Sequence, residues 1–224
     1  MKTLHSATEE EMIEIETDPP TVIVGNAPEL YWIGQLQVDT NSREIYIYGE
    51  IDENFGDAFL KIFRFLLNKS HDPITIWLNT PGGDLEAAFM FYDLVTSSPA
   101  SVITIGTGSI CSAGVLMLSC GYRRLVTENC SVMSHESSFY ANEKGIRHSE
   151  AKDRRKWEDW TSERFTILLG KCTSRTKPDK DGAYWKKITE RKAEYWILGG
   201  ESIVAEGLAD AVLTKEDLTN KGRK

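Results

Sequence analysis

From residue 43 onward the apolar positions change period several times. Arg43–Glu50 (REIYIYGE) alternates polar and β-favouring residues, as a half-buried strand does. Asn54–Leu67 then places Phe55, Phe59, Leu60, Phe63, Leu66 and Leu67 at helical spacing. Pro73–Leu78 (PITIWL) is a short continuous apolar run, predicted as a buried strand. After the turn Asn79–Gly83, Asp84–Ser97 is predicted as a helix, with Asp84 favouring the positive end of the helix dipole. Ser101–Ile105 is a strand, Ser112–Cys120 a helix ending at Gly121, and Arg124–Thr127 and Ser131–His135 two further strands.

Strand, helix, strand, helix, strand is the pattern of stacked βαβ units around a parallel sheet with right-handed crossovers, so the predicted fold class is α/β. Functional groups in such sheets collect where strands end and helices begin. The long stretch Ser149–Leu169 is helical but strongly charged, with Trp157, Trp160, Phe165, Leu168 and Leu169 as its main apolar positions. It reads either as a projecting helix that packs on another subunit or as an amphipathic surface helix. Residues 1–25 are acidic and polar, contain Pro19-Pro20, and are expected to form a flexible arm. Residues 26–214 are expected to form one domain, and residues 215–224 a C-terminal tail.

Bulk composition narrows the function classes. The chain of 224 residues carries a formal net charge of −8, which argues against non-specific binding of nucleic acid or anionic membrane. Its start is acidic (Glu9, Glu10, Glu11, Glu14, Glu16) and contains no apolar stretch of a signal peptide. No apolar run approaches the roughly 20 residues that span a bilayer. The four cysteines, Cys111, Cys120, Cys130 and Cys172, form no C-x-x-C pair. Together these features predict a soluble cytoplasmic protein with reduced thiols, no metal site and no bound cofactor. The phosphate loop G-x-x-x-x-G-K-[ST] is absent, so ATP use would fall to a partner.

Two short segments can carry chemistry. Gly108-Ser109-Ile110-Cys111-Ser112-Ala113-Gly114 sits at a strand–helix junction, where small residues permit a tight turn that presents the Ser112 hydroxyl. The Ala113 N–H would follow as an oxyanion donor. The bland alternative is a close-packed turn in which Ser112 caps the helix. Thr80-Pro81-Gly82-Gly83 can bare backbone N–H groups toward a ligand, or can be a simple β-to-α turn. Of the four histidines (His5, His71, His135 and His148), only His135 ends an apolar strand. A neutral imidazole there can accept a serine proton, or can serve as a hydrogen-bonded packing residue.

In this order, Pro-Gly-Gly, Gly-x-x-x-Ser-x-Gly, a strand Val132-Met133-Ser134-His135, and then Glu206-Gly207-Leu208-Ala209-Asp210, the chain resembles the Clp peptidase (ClpP-like) family from about Arg43 to Leu213. The resemblance implies the ClpP/crotonase-like fold and a serine endopeptidase with Ser112 as nucleophile and His135 as general base. It implies an oxyanion hole built from the backbone N–H groups of Gly83 and Ala113. It also implies that Ser149–Leu169 is a handle helix joining two heptameric rings into a chamber. A hexameric AAA+ unfoldase would feed unfolded polypeptides into that chamber. Glu136-Ser137 stands where the family has Gln-Pro. For the acid that orients the histidine, an ungapped match back from Gly207 reaches Tyr195, and one extra residue at Gly199-Gly200 reaches Glu194. Glu194 is the expected acid, with Asp179 and Asp181 as the other candidates. Two alternative functions remain open at this point. One is a catalytically inactive ring subunit of the same fold. The other is a crotonase-like acyl-CoA enzyme using Glu128 or Glu136 as base.

Overall fold

A computed structural model describes residues 13–15, 22–24, 30–33, 36–136, 148–175, 179 and 181–219. In chain order its elements are β1 (Ile13–Ile15), β2 (Val22–Val24), β3 (Leu30–Ile33), β4 (Leu36–Asp39), β5 (Glu44–Tyr48), α1 (Glu53–Lys69), β6 (Ile74–Thr80), α2 (Leu85–Thr96) and β7 (Val102–Cys111). They continue with α3 (Ala113–Ser119), β8 (Arg123–Val126), β9 (Ser131–Ser134), α4 (His148–Thr173), α5 (Ala183–Arg191), β10 (Tyr195–Leu198), α6 (Gly200–Glu206), β11 (Ala211–Val212) and α7 (Lys215–Thr219). Most of the stretch expected as an arm lies outside the described residues. Within it, β1 and β2 form an antiparallel pair. The stretch expected as a tail contains α7, whose Asp217 accepts from the Thr214 N–H and pairs with Arg123.

The helices begin where local chemistry starts them. Asp52 caps α1, its Oδ1 accepting from the N–H groups of Asn54 and Phe55 at 3.0 and 2.9 Å. Asp84 caps α2 by accepting from the Ala87 N–H at 2.7 Å. The periodic apolar face of α1 (Phe55, Phe59, Ile62, Phe63, Leu66) is buried, with Phe59 stacked against Phe63 and tilted against Phe91 of α2. At the other end of α1, buried Arg43 donates to the carbonyls of Leu66, Ser70 and Asp72 and so satisfies the helix C-terminus.

The sheet is mixed rather than purely parallel. Its order is β10-β9-β7-β6-β5-β4-β3, with β8 beside β7 and β11 beside β8. The central strands β5, β6, β7 and β9 are mutually parallel, as the βαβ pattern predicts. The outer pairs β3–β4, β4–β5 and β9–β10 are antiparallel because short turns, or a return through α4 and α5, bring each strand back. Strand β7 runs six residues further than its apolar segment suggested, to Cys111. Along its first half it pairs with β8, and along its second half, Ser109–Cys111, with β9. Strand pairing overrides the turn character of Gly108-Ser109. A register shift in β6 between Leu78 and Thr80 takes up the irregularity.

Helix α4 changes character halfway. Most of its residues before Thr161 are exposed, including Trp160, whereas Phe165, Leu168, Leu169 and Cys172 enter the core. Arg124 is fully buried on β8 and donates to Asp210 and to the carbonyls of Cys172 and Gly207. It thereby ties α4 and the Glu206–Asp210 segment to the sheet. Burial by itself would raise the Asp210 pKa, but the hydrogen bonds from the Arg124 side chain and backbone N–H, with the charges of Arg124 and Arg175, hold it below the usual carboxylate value.

Asp210→Ala leaves a buried guanidinium without its counter-ion, so it should destabilise the fold by about 3 kcal/mol in urea titration. Because the folded-state pKa is lowered, the wild-type pair contributes fully above the unfolded value of about 4 and loses its contribution as pH falls below it. The wild-type and variant stability curves should therefore converge on the acid side. Parallel curves down to low pH would mean that the pair is energetically silent.

Candidate active site

The carboxyl ends of β6, β7 and β9 lie along one edge of the sheet, and the three loops leaving them meet there. Ser112 follows β7 directly. Its backbone is at φ 53° and ψ −122°, a positive-φ conformation rare for a residue with a side chain. Two backbone bonds pin it there. Its N–H donates to the Met133 carbonyl at 2.8 Å, and its carbonyl accepts from the Val115 N–H at 3.0 Å. Such a conformation costs about 1–3 kcal/mol and persists only where the surroundings over-determine it. Ser112 occupies the cap position of α3, yet its side chain makes no capping hydrogen bond. The hydroxyl is therefore not what starts the helix.

The Pro81-Gly82-Gly83 loop packs against the Ser112 turn. A Cβ on Gly82 would lie 2.6 Å from the Cys111 carbonyl oxygen, 2.7 Å from Ser112 Cβ and 3.0 Å from the Ala113 nitrogen. Gly82 and Gly83 have φ of +91° and +140°, so the approach and the backbone both demand glycine. The loop is held by a bridge to Ile51, in which Ile51 donates to the Gly82 carbonyl and accepts from the Asp84 N–H. That pair of bonds leaves the Gly83 N–H outside the ladder. Ala113 opens α3, so its N–H has no acceptor within the helix.

His135 follows β9 and lines the same cleft of about 910 Å³ as Ser112, Gly82, Gly83, Asp84, Arg154 and Trp157. Its Nδ1 lies against the Glu136 carbonyl oxygen. A carbonyl can only accept, so Nδ1 carries the proton and Nε2 is left as the basic nitrogen. Among the described residues no hydrogen bond joins Ser112 to His135. Glu194 precedes β10 and is exposed, with its carboxylate accepting from Trp196 Nε1 at 2.7 Å. The antiparallel register pairs Tyr195 with Ser134 and ends there, one residue short of both Glu194 and His135. Asp179 is buried and uses Oδ1 to accept from the Tyr184 N–H, near the start of α5, and Asp181 is exposed.

The other expectations of chemistry can be placed as well. All four cysteines are buried free thiols, and burial raises the pKa of Cys130 to about 11 and of Cys172 to about 12. Among the described residues no three His, Cys, Asp or Glu side chains gather as a metal site, and no helix is long and apolar enough to cross a membrane. The sequence reading missed Arg154 and Trp157 as walls of the cleft, because their helix is distant in sequence from Ser112 and its charge pattern reads as surface.

A βαβ-built sheet that brings a helix-start serine and a strand-end histidine to one edge places the chain in the ClpP-like class of α/β protein. A family model described as Clp protease matches residues 30–216, and the chain belongs to the Clp protease family. Over 178 residues it is 29% identical to the ATP-dependent Clp protease proteolytic subunit 2 of Pseudomonas aeruginosa, covering 78% of this chain and 82% of that one. It is 27% identical to proteolytic subunit 3 of Rhizobium meliloti, over 77% and 84% of the two chains. The fold superposes on a ClpP1 point mutant from Listeria monocytogenes with a TM-score of 0.68 and 24% identity, covering 80% of this chain and 96% of that one.

Gly82→Ala should cost about 2 kcal/mol or more in thermal or urea unfolding, since the new methyl meets backbone on two sides at a strained φ. An unchanged midpoint would mean that the two loops do not touch in solution.

Proposed function

We propose that this chain is a serine endopeptidase subunit that works in an oligomeric chamber and cleaves unfolded polypeptides to short peptides. The observation that carries the reading is the Ser112 turn: a strained, doubly pinned serine whose hydroxyl caps nothing and opens into the cleft that His135 also lines. In this reading Ser112 Oγ attacks the peptide carbonyl while His135 Nε2 takes its proton. The N–H groups of Gly83 and Ala113 hold the oxyanion of the tetrahedral intermediate. His135 then delivers the proton to the leaving amine, and water repeats the sequence on the acyl-enzyme. No metal or cofactor is needed for these steps.

Glu194 is our candidate for the acid that orients His135. Its place next to Tyr195, whose ladder partner Ser134 immediately precedes His135, supports this, and the role requires its carboxylate to leave Trp196 and replace the Glu136 carbonyl as acceptor for the Nδ1 proton. Engagement of a substrate or of neighbouring subunits would supply that shift. The family relatives, named as proteolytic subunits of an ATP-dependent protease, support assembly of this chain into rings and feeding by a hexameric AAA+ unfoldase. The handle role falls to α4, whose exposed first half carries Trp157 and Trp160. A second reading, an inactive ring subunit, is favoured by the carboxylate of Glu194 being held by Trp196.

Cleavage of an unfolded, fluorescently quenched polypeptide by the assembled protein tests the first reading. Ser112→Ala should abolish turnover and leave the oligomer intact, whereas residual wild-type turnover in the variant would remove Ser112 as nucleophile. Glu194→Ala should lower kcat at least tenfold with little change in KM or melting, by loss of imidazole orientation alone (about 10⁴-fold at most). Unchanged kinetics would mean that the Glu136 carbonyl suffices to orient His135.

A further inference from the structure

His135 lines two cavities, not one. Beyond the cleft that holds Ser112 lies a second cavity of about 340 Å³, walled by α4 on one side and α5 on the other. This volume lies within the range of small-ligand pockets, roughly 300–1,000 Å³, and suits one long side chain. Its inner part is formed by Phe165, Thr166 and Thr189, all buried, and both threonine hydroxyls are occupied by carbonyls of their own helices. Its outer part carries four exposed carboxylates, Glu136 beside His135, Asp159 and Glu163 from α4, and Glu190 from α5. Among the described residues none of the four forms an ion pair, not even with Lys186, the one lysine or arginine of the same cavity. An apolar floor under an anionic rim matches a side chain with an aliphatic stem and a cationic end.

We propose that this cavity is a specificity pocket for a lysine or arginine side chain of the substrate, next to the bond that Ser112 cleaves. The proposal rests on the peptidase reading above, because it takes the chain bound across Ser112 and His135 to continue into the cavity. Four carboxylates against one ammonium focus a negative potential where water is partly excluded. Glu163 and Glu190 come from different helices, so the rim is a property of the folded α4–α5 pair and not of either charge run alone.

Binding of labelled peptides to the assembled Ser112→Ala protein tests the pocket without requiring turnover. The peptides are identical except for one residue, which is arginine, its uncharged isostere citrulline, or glutamate. The arginine peptide should bind about fivefold to tenfold tighter than the citrulline peptide, and the glutamate peptide weakest. Adding Glu163→Gln and Glu190→Gln, both at exposed positions, should bring arginine down to the citrulline level. Equal binding of arginine and citrulline, or a preference that survives the double substitution, would overturn the pocket. Wild-type cleavage of the citrulline peptide reads the peptidase proposal separately. A protein that cleaves it with no charge preference refutes only the pocket, and one that binds arginine selectively yet cleaves nothing refutes only the peptidase.

Discussion

The N–H of Ser112 donates to the carbonyl of Met133, and this single backbone bond joins the end of β7 to β9 two residues before His135. It forces β7 to finish in a positive-φ turn instead of running smoothly into α3. That turn is stable only because the Gly82 loop fills the space behind it with backbone. The position of the serine follows from how β7 is clamped between β6 and β9.

The same logic explains the reach of the rest of the fold. Parallel β5, β6 and β7 bring the Ile51, Gly82 and Ser112 loops to one edge, and the Ile51–Gly83 bridge sets the height of the glycine loop. Arg124 acts at the far side, fixing α4 and the Glu206–Asp210 segment to β8 from a fully buried position. Helix α4 is thereby anchored through its second half, while its first half is left exposed beside the cleft. A chain with a net charge of −8 concentrates several of its carboxylates around His135, on the walls that α4 and α5 contribute.

Much of this was legible before any coordinates. The 3.6-residue spacing of Phe55, Phe59, Phe63 and Leu66, the acidic helix start at Asp84, and the apolar runs at Ile74 and Val102 report local preferences that the tertiary structure keeps. Ser112 and His135 were legible because glycine and strand patterns mark the ends of strands. The extension of β7 through Gly108 was not, since pairing with β9 is a long-range effect that outweighs the turn propensity of Gly108-Ser109. The antiparallel edges, the burial of Arg43 and Arg124, and the second cavity beside His135 were equally hidden. Each depends on residues far apart in the chain whose local composition reads as surface. Glu194 stands between the two cases: spacing offers it, and the β9–β10 register brings only its neighbour Tyr195 opposite Ser134, the residue before His135.

Whether Ser112 is an activated nucleophile is tested most directly by reaction of the assembled protein with a fluorophosphonate, with the modified residue mapped by mass spectrometry. The account predicts a single covalent adduct on Ser112, formed in the wild-type chain and absent from Ser112→Ala. An assembled wild-type protein that stays unlabelled, or an adduct on another serine, would contradict it.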